Sequence, residues 1–121
     1  MKEVLRRHTI SFQSAVAGLR WAIRTQPNFR VHLALSSLAL GASWYFNISH
    51  AEWMIIVFTI VLGLSAEMIN TSLEAMTDLI TQEWRKEAKI AKDVSAGMML
   101  TVAIGALVVS SVIFIPRLIR L

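Results

Sequence analysis

The chain has 121 residues, of which 55% are hydrophobic and only 17% are charged. Soluble domains average about 45–50% apolar and about 25% charged residues, so this composition excludes an ordinary soluble domain and indicates a membrane protein. The absence of cysteine excludes disulfide scaffolds and thiolate zinc sites. The net charge of +4 falls beside apolar runs, which argues against nucleic acid as a partner.

Residues 5–25 are predicted to form an amphipathic helix that lies in the membrane interface. The apolar residues that share one stripe of a 3.6-residue helix are Leu5, Phe12, Val16, Leu19 and Ile23. Arginines flank this stripe, and a basic amphipathic segment binds anionic lipid at the interface rather than crossing the bilayer. Pro27 disfavours helical geometry at the residue before it, so the helix is predicted to end there.

Three further segments are predicted to span the membrane, because each contains a long apolar run with few or no charges. They are residues 30–48, residues 52–78 and residues 92–116. Basic residues precede the first span and line the loop 79–91, which predicts a cytoplasmic N-terminus and a cytoplasmic loop. The sequence therefore predicts an all-α integral membrane protein with one domain, residues 1–121, that crosses the membrane several times.

Polar side chains follow the apolar run of the second predicted span. Glu67, Asn70, Glu74 and Asp78 lie three or four residues apart, a spacing that puts them on one helical face. An ionised acid at bilayer depth costs about 2.5–3.5 kcal/mol, so it normally faces protein or a polar cavity and marks a site. This face is the candidate site of the protein.

Three interpretations of this face are open from the residues alone. The helix can simply run out into the cytoplasm, with Glu74 and Asp78 as a solvated end. A small proton- or cation-coupled transporter can use Glu67 as a carboxylate that alternates between a proton and its substrate. In a metal–nucleotide site, the carboxylates can hold Mg²⁺ while an asparagine and a lysine contact phosphate oxygens. The cations that favour this third interpretation are Arg85, Lys86, Lys89 and Lys92.

The motif that runs from Glu67 to Asp78, followed by Ala91-Lys92-Asp93, resembles the signature of the small prokaryotic diacylglycerol kinases and undecaprenol kinases. Two upstream segments, Gly18-Leu19-Arg20 and Asn28-Phe29-Arg30, also match that family. The resemblance implies a homotrimer of three-span subunits, each with an amphipathic surface helix, in the bacterial cytoplasmic membrane. It also implies an ATP-dependent lipid kinase, which transfers the γ-phosphoryl group of MgATP to the hydroxyl of a membrane lipid.

The resemblance further implies a role for each matching residue. Glu67 corresponds to the general base on the lipid hydroxyl and Glu74 to a ligand of Mg²⁺. Asp78 corresponds to a supporting group. The positions that correspond to ATP contacts are Arg7, Ser14, Gln26, Asn70, Glu74, Glu83, Trp84, Arg85, Lys92 and Asp93.

Gln26 departs from the family pattern, which places a second metal-binding glutamate three residues before the phenylalanine of the Asn-Phe-Arg segment. An amide offers a carbonyl oxygen to Mg²⁺ but no charge, so the predicted metal site is weaker by one acid. The loop from Glu83 to Gly97 and the region of His32 and Trp53 resemble the undecaprenol kinases more than the diacylglycerol kinases. The expected substrate is therefore undecaprenol rather than diacylglycerol.

Overall fold

The computed structural model describes the backbone of residues 1–120 and the side chains of residues 1, 9 and 11–120. This part of the chain contains helices and no strands. The elements in chain order are α1 (Lys2–Thr25), α2 (Pro27–Tyr45), α3 (His50–Ile80) and α4 (Lys86–Leu118). The predicted all-helical class is confirmed.

A single residue, Gln26, separates α1 from α2. Its backbone is extended, with φ −100° and ψ 106°, because the ring of Pro27 disfavours helical geometry at the residue before it. Pro27 lies in the first turn of α2. The N–H groups of a first turn make no hydrogen bond within the helix, so proline, which lacks this group, is tolerated there. One helix therefore ends and the next begins without an intervening loop.

The turn between α2 and α3 is built from residues with strong local preferences. Asn47 has a positive φ of 48°, which asparagine adopts more readily than most residues. Ser49 and Glu52 form a capping box: the Glu52 N–H donates to Ser49 Oγ at 3.3 Å, and the Ser49 N–H donates to Glu52 Oε2 at 2.8 Å. These two bonds satisfy N–H groups that have no partner within the helix, so α3 begins at a well-defined residue.

The link between α3 and α4 is short. It runs from Thr81 to Arg85, and both of these residues are extended. The Glu83 N–H donates to Thr81 Oγ1 at 3.2 Å, which orders the start of the link. α4 begins at Lys86, ahead of the predicted span 92–116, because the lysines, glutamate and alanines that open it are good helix formers in water.

α4 packs along α3, and α3 also contacts α2. A small apolar core lies beside the α2–α3 turn, where Ile48, Ile56 and Ile113 are at most 5% exposed. The rings of Phe46 and Phe114 extend this core, with centroids 6.2 Å apart. The core therefore joins the ends of α3 and α4 that lie farthest from the α3–α4 link.

An ion pair reinforces the same end of the molecule. Arg117 Nη2 lies 2.8 Å from Glu52 Oε2, and Arg117 Nη1 donates to the Ile113 carbonyl at 2.5 Å. Only 29% of the Arg117 side chain and 25% of the Glu52 side chain are exposed. Because Glu52 also belongs to the capping box, one carboxylate connects the start of α3 to the end of α4.

Elsewhere the apolar side chains are largely exposed, for example Phe58 at 69% and Leu107 at 68%. Surface of this kind is suited to lipid or to neighbouring protein rather than to water. Within the described residues, α3 and α4 are long and apolar enough to cross a membrane. α2 has 19 residues and includes Arg30 and His32 in its first turns, so its role as a third span stays a prediction.

Candidate functional site

The predicted polar face of α3 contains both buried and exposed side chains. Glu67 is 3% exposed and Asn70 is 7% exposed, and both lie in the middle of the helix. Glu74 and Asp78, one and two turns closer to the α3–α4 link, are exposed. The face therefore runs from a buried carboxylate at one end to solvated carboxylates at the other.

Asn70 is at the centre of this face and forms hydrogen bonds both within α3 and to α4. Its Nδ2 donates to Glu74 Oε1 at 3.2 Å, within α3. Its Oδ1 accepts a hydrogen bond from Ser95 Oγ on α4 at 2.5 Å. Ser95 is 3% exposed, so the neighbouring helix contributes a buried hydroxyl to the site.

Glu67 lies one turn after the place where α2 contacts α3 at Gly63. The titratable groups that interact electrostatically with its carboxylate are His32 on α2 and Glu74. His32 lies against the backbone of Gly63, one turn before Glu67: a methyl group at Gly63 would be 3.9 Å from His32 Nδ1. Among the described side chains, none donates a hydrogen bond to Glu67.

The predicted phosphate-binding cation is close to the acids. Lys92 Nζ lies 2.6 Å from Asp78 Oδ1, which joins α4 to α3 across the interface. Its neighbour Asp93 pairs instead with Lys89 on the same helix. Both pairs are exposed, so each can be exchanged for a charged ligand at little cost.

The residues of the α3–α4 link that are predicted to contact ATP are exposed. Arg85 Nη2 lies 3.0 Å from Glu83 Oε2, and Trp84 is 78% exposed. A cleft of about 480 Å³ opens beside them. Its lining residues are Thr77, Ile80, Thr81, Arg85, Glu87 and Ala88.

The other residues that are predicted to contact ATP lie apart from the polar face of α3. Ser14 is exposed on α1, and the Gln26 amide donates to Thr25 Oγ1 at 3.2 Å. Among the described side chains, no hydrogen bond or ion pair joins Ser14 or Gln26 to α3. The side chain of Arg7 lies outside the described residues.

The donor set fits a magnesium ion that arrives with a nucleotide. Among the described residues, no group of three or more histidine, aspartate or glutamate side chains lies together as a metal cluster. Mg²⁺ is commonly held by one or two carboxylates plus substrate phosphates and water. Glu74 meets this requirement, because it is exposed and Asn70 occupies only one of its oxygens.

Sequence reasoning missed two residues of the site. Ser95 is 25 positions from Asn70, and a single serine in an apolar helix carries no signal of its partner. The sequence singles out His32 only as part of a region that resembles the undecaprenol kinases. Its position against Gly63 depends on how α2 packs on α3, which no local pattern reports.

Comparison with known proteins gives the family. The sequence profile of the family described as prokaryotic diacylglycerol kinase matches residues 13–114. An undecaprenol kinase of Bacillus subtilis is 36% identical over 114 residues, which cover 94% of this chain and 93% of that protein. A diacylglycerol kinase of Synechocystis is 34% identical over 113 residues, which cover 93% of this chain and 65% of that protein.

A diacylglycerol kinase of Pseudomonas aeruginosa is 26% identical over 82 residues, which cover 68% of this chain and 67% of that protein. The matched segment 13–114 includes the whole polar face of α3 and its partners on α4. The match thus confirms, over most of the sequence, the family that the motif from Glu67 to Asp78 indicated. The chain belongs to the prokaryotic diacylglycerol kinase family.

Proposed function

We propose that this protein is an ATP-dependent lipid kinase that transfers the γ-phosphoryl group of MgATP to the hydroxyl of a membrane lipid. The observation that supports this most directly is the graded polar face of α3. A buried carboxylate, Glu67, is suited to a lipid hydroxyl, and an exposed one, Glu74, is suited to a metal–nucleotide. Membership of a kinase family favours this function over a proton- or cation-coupled transporter.

In the proposed reaction Glu67 is the general base. The lipid hydroxyl oxygen attacks the γ-phosphorus, the bond from that phosphorus to the β–γ bridging oxygen breaks, and ADP leaves. The hydroxyl proton passes to a Glu67 carboxylate oxygen. A base must lie within hydrogen-bond reach of the proton that it takes, and a buried position on an apolar helix is where a lipid hydroxyl can arrive without water.

Glu74 is the proposed protein ligand of Mg²⁺, and Gln26 is a weaker second candidate through its amide oxygen. An ion held there would supply charge neutralisation to the phosphate groups of ATP. Asn70 holds one oxygen of Glu74 in place by the 3.2 Å hydrogen bond. Asp78 supports the site by keeping the Lys92 ammonium beside it.

Lys92 is the proposed phosphate contact. Because its ion pair with Asp78 is exposed, the ammonium can turn to a nucleotide phosphate without leaving a buried charge unpaired. The other proposed nucleotide contacts surround the α3–α4 link or lie on α1. They are Arg7, Ser14, Glu83, Trp84, Arg85 and Asp93.

The proposed setting is a bacterial cytoplasmic membrane with the N-terminus and the α3–α4 link in the cytoplasm. α2, α3 and α4 are then the three spans of one membrane domain, and α1 lies at the interface. A homotrimer is the proposed assembly, which the family resemblance implies. The exposed apolar surface of the single chain leaves ample area for both lipid and neighbouring subunits.

The proposed lipid is undecaprenol. The relative named as an undecaprenol kinase matches this chain over 93% of its own length, compared with 65% for the Synechocystis diacylglycerol kinase. This agreement in length, together with the loop from Glu83 to Gly97, supports the polyprenol as the acceptor.

A phosphotransfer assay tests the proposal. Purified protein in mixed micelles is given γ-labelled ATP, Mg²⁺ and either undecaprenol or diacylglycerol at equal mole fraction. We expect label in the extracted lipid, at a higher rate with undecaprenol. Faster labelling of diacylglycerol would reverse the lipid assignment. No labelled lipid from either, with proton or cation flux across liposomes instead, would establish the transporter.

A further inference from the structure

Ser95 connects α4 to the carboxylate that we assign to the metal. Its hydroxyl donates to Asn70 Oδ1 at 2.5 Å across the helix interface. Asn70 Nδ2 then donates to Glu74 Oε1 at 3.2 Å. Two hydrogen bonds in series therefore run from a buried serine to an exposed glutamate.

The direction of these bonds gives Ser95 a specific effect. An asparagine side chain has one accepting end and one donating end. A hydroxyl that donates to Oδ1 holds the amide with its NH₂ group towards Glu74. Without that hydroxyl the amide loses one of its two anchors, and only its bond to Glu74 Oε1 still holds it. Because Ser95 and Asn70 are 3% and 7% exposed, water cannot easily replace the missing donor.

We propose that Ser95 is a positioning residue of the kinase site. It orients the Asn70 amide, and Asn70 in turn holds Glu74 Oε1 by a hydrogen bond, which would leave Glu74 Oε2 for the metal that accompanies ATP. The last step rests on the proposed function, whereas the orientation of Asn70 by Ser95 does not. Ser95 acts through Asn70 and not on the reacting atoms.

The test variant is Ser95→Ala, which removes the hydroxyl and leaves the size of the side chain almost unchanged. We expect the Mg²⁺ concentration for half-maximal transfer to rise about three- to tenfold, in line with the loss of a buried partner behind a metal ligand. The rate at saturating Mg²⁺ should fall by less than about twofold, because Glu67 is untouched.

A second measurement does not depend on activity. The side-chain amide signals of isotope-labelled asparagine are recorded by NMR on the full chain in micelles without nucleotide. Ser95→Ala should shift the Asn70 signals and leave those of Asn28 and Asn47 in place. Glu74→Gln should also shift the Asn70 signals, because it changes the acceptor at the other end of the amide.

Ser43→Ala is the matched control. Ser43 is 0% exposed, but its hydroxyl donates only to the Ala39 carbonyl of its own helix at 2.7 Å. This variant should change neither the Mg²⁺ midpoint nor the Asn70 signals. In an Asn70→Ala background, Ser95→Ala should have no further effect on the midpoint, because the pathway is already broken.

The outcomes separate the two proposals. Unchanged Asn70 signals, or an unchanged Mg²⁺ midpoint in an active Ser95→Ala enzyme, would overturn the role of Ser95. If the unmodified protein labels neither lipid, the proposed function is wrong, while the NMR comparison still decides whether Ser95 orients Asn70.

Discussion

Lys92 Nζ lies 2.6 Å from Asp78 Oδ1, so the start of α4 is paired with the end of α3 beside the proposed metal ligand. The two side chains are 43% and 56% exposed. An ion pair this accessible contributes at most about 1 kcal/mol to folding. Its main consequence is therefore local: it keeps an ammonium group at the place where we propose that a nucleotide phosphate binds.

Lys92→Met should weaken ATP use much more than it weakens the fold. Loss of a charge-assisted contact to phosphate typically costs about 1.5–3 kcal/mol, so we expect kcat/KM for ATP to fall at least about tenfold. The melting temperature in detergent should change little. Arg120→Met is the control, because Arg120 is an exposed cation two residues beyond the other end of α4. A large fall in melting temperature with an unchanged KM would give Lys92 a structural role only.

Glu67→Gln should abolish the chemical step and retain nucleotide binding. A positioned base contributes roughly 10²–10⁴-fold to rate, so kcat should fall by that order. Stability should be equal or higher, because the variant removes a charge from an apolar helix. Glu52→Gln, on the same helix outside the site, should keep kcat. Near-normal turnover of Glu67→Gln would remove this residue from the mechanism.

Gln26→Glu should lower the Mg²⁺ concentration needed for half-maximal rate, because it supplies the second carboxylate of the family pattern. The alternative is that another acid has taken that role, with Glu83 and Glu87 as candidates. Glu83 already pairs with Arg85, and Glu87 lines the neighbouring cleft.

If either of those acids binds the metal, Glu83→Gln or Glu87→Gln should raise the Mg²⁺ requirement. A titration of all three variants against Mg²⁺ distinguishes the two arrangements. A midpoint that moves in none of them would leave Glu74 and the phosphates as the only ligands.

The Glu52–Arg117 pair should matter for stability and not for transfer. Glu52→Gln and Arg117→Met should each lower the melting temperature in detergent, since each leaves a half-buried partner unpaired. The double variant should be no less stable than the worse single variant, because both remove the same interaction. Additive losses would show that the two side chains act separately.

Gly63 should accept one methyl group. A Cβ there would lie 3.9 Å from His32 Nδ1 and 4.0 Å from Val102 Cγ1, which is ordinary contact. Gly63→Ala should therefore keep activity and gain up to about 1 kcal/mol from better helix propensity. Gly63→Leu should instead displace His32 and lower both the melting temperature and the transfer rate. Equal behaviour of the two variants would contradict this close packing of α2 on α3.

The helices of this protein could be predicted well because their causes are local. Pro27 separates α1 from α2 through the residue next to it, and Ser49 and Glu52 start α3 within a single turn. The common face of Glu67, Asn70 and Glu74 follows from helical spacing alone. The family also could be read from that motif, since its chemistry lies in a short segment of one helix.

The sequence by itself thus determined the helical class, the helix breaks and the polar face, because each depends on neighbours along the chain. Only the tertiary structure decided which side chains meet across the helices. Ser95 reaches Asn70, Lys92 reaches Asp78 and Arg117 reaches Glu52 across 25, 14 and 65 positions. The physical reason is that these contacts depend on how α3 and α4 rotate and shift against each other, and that packing is a property of two surfaces together.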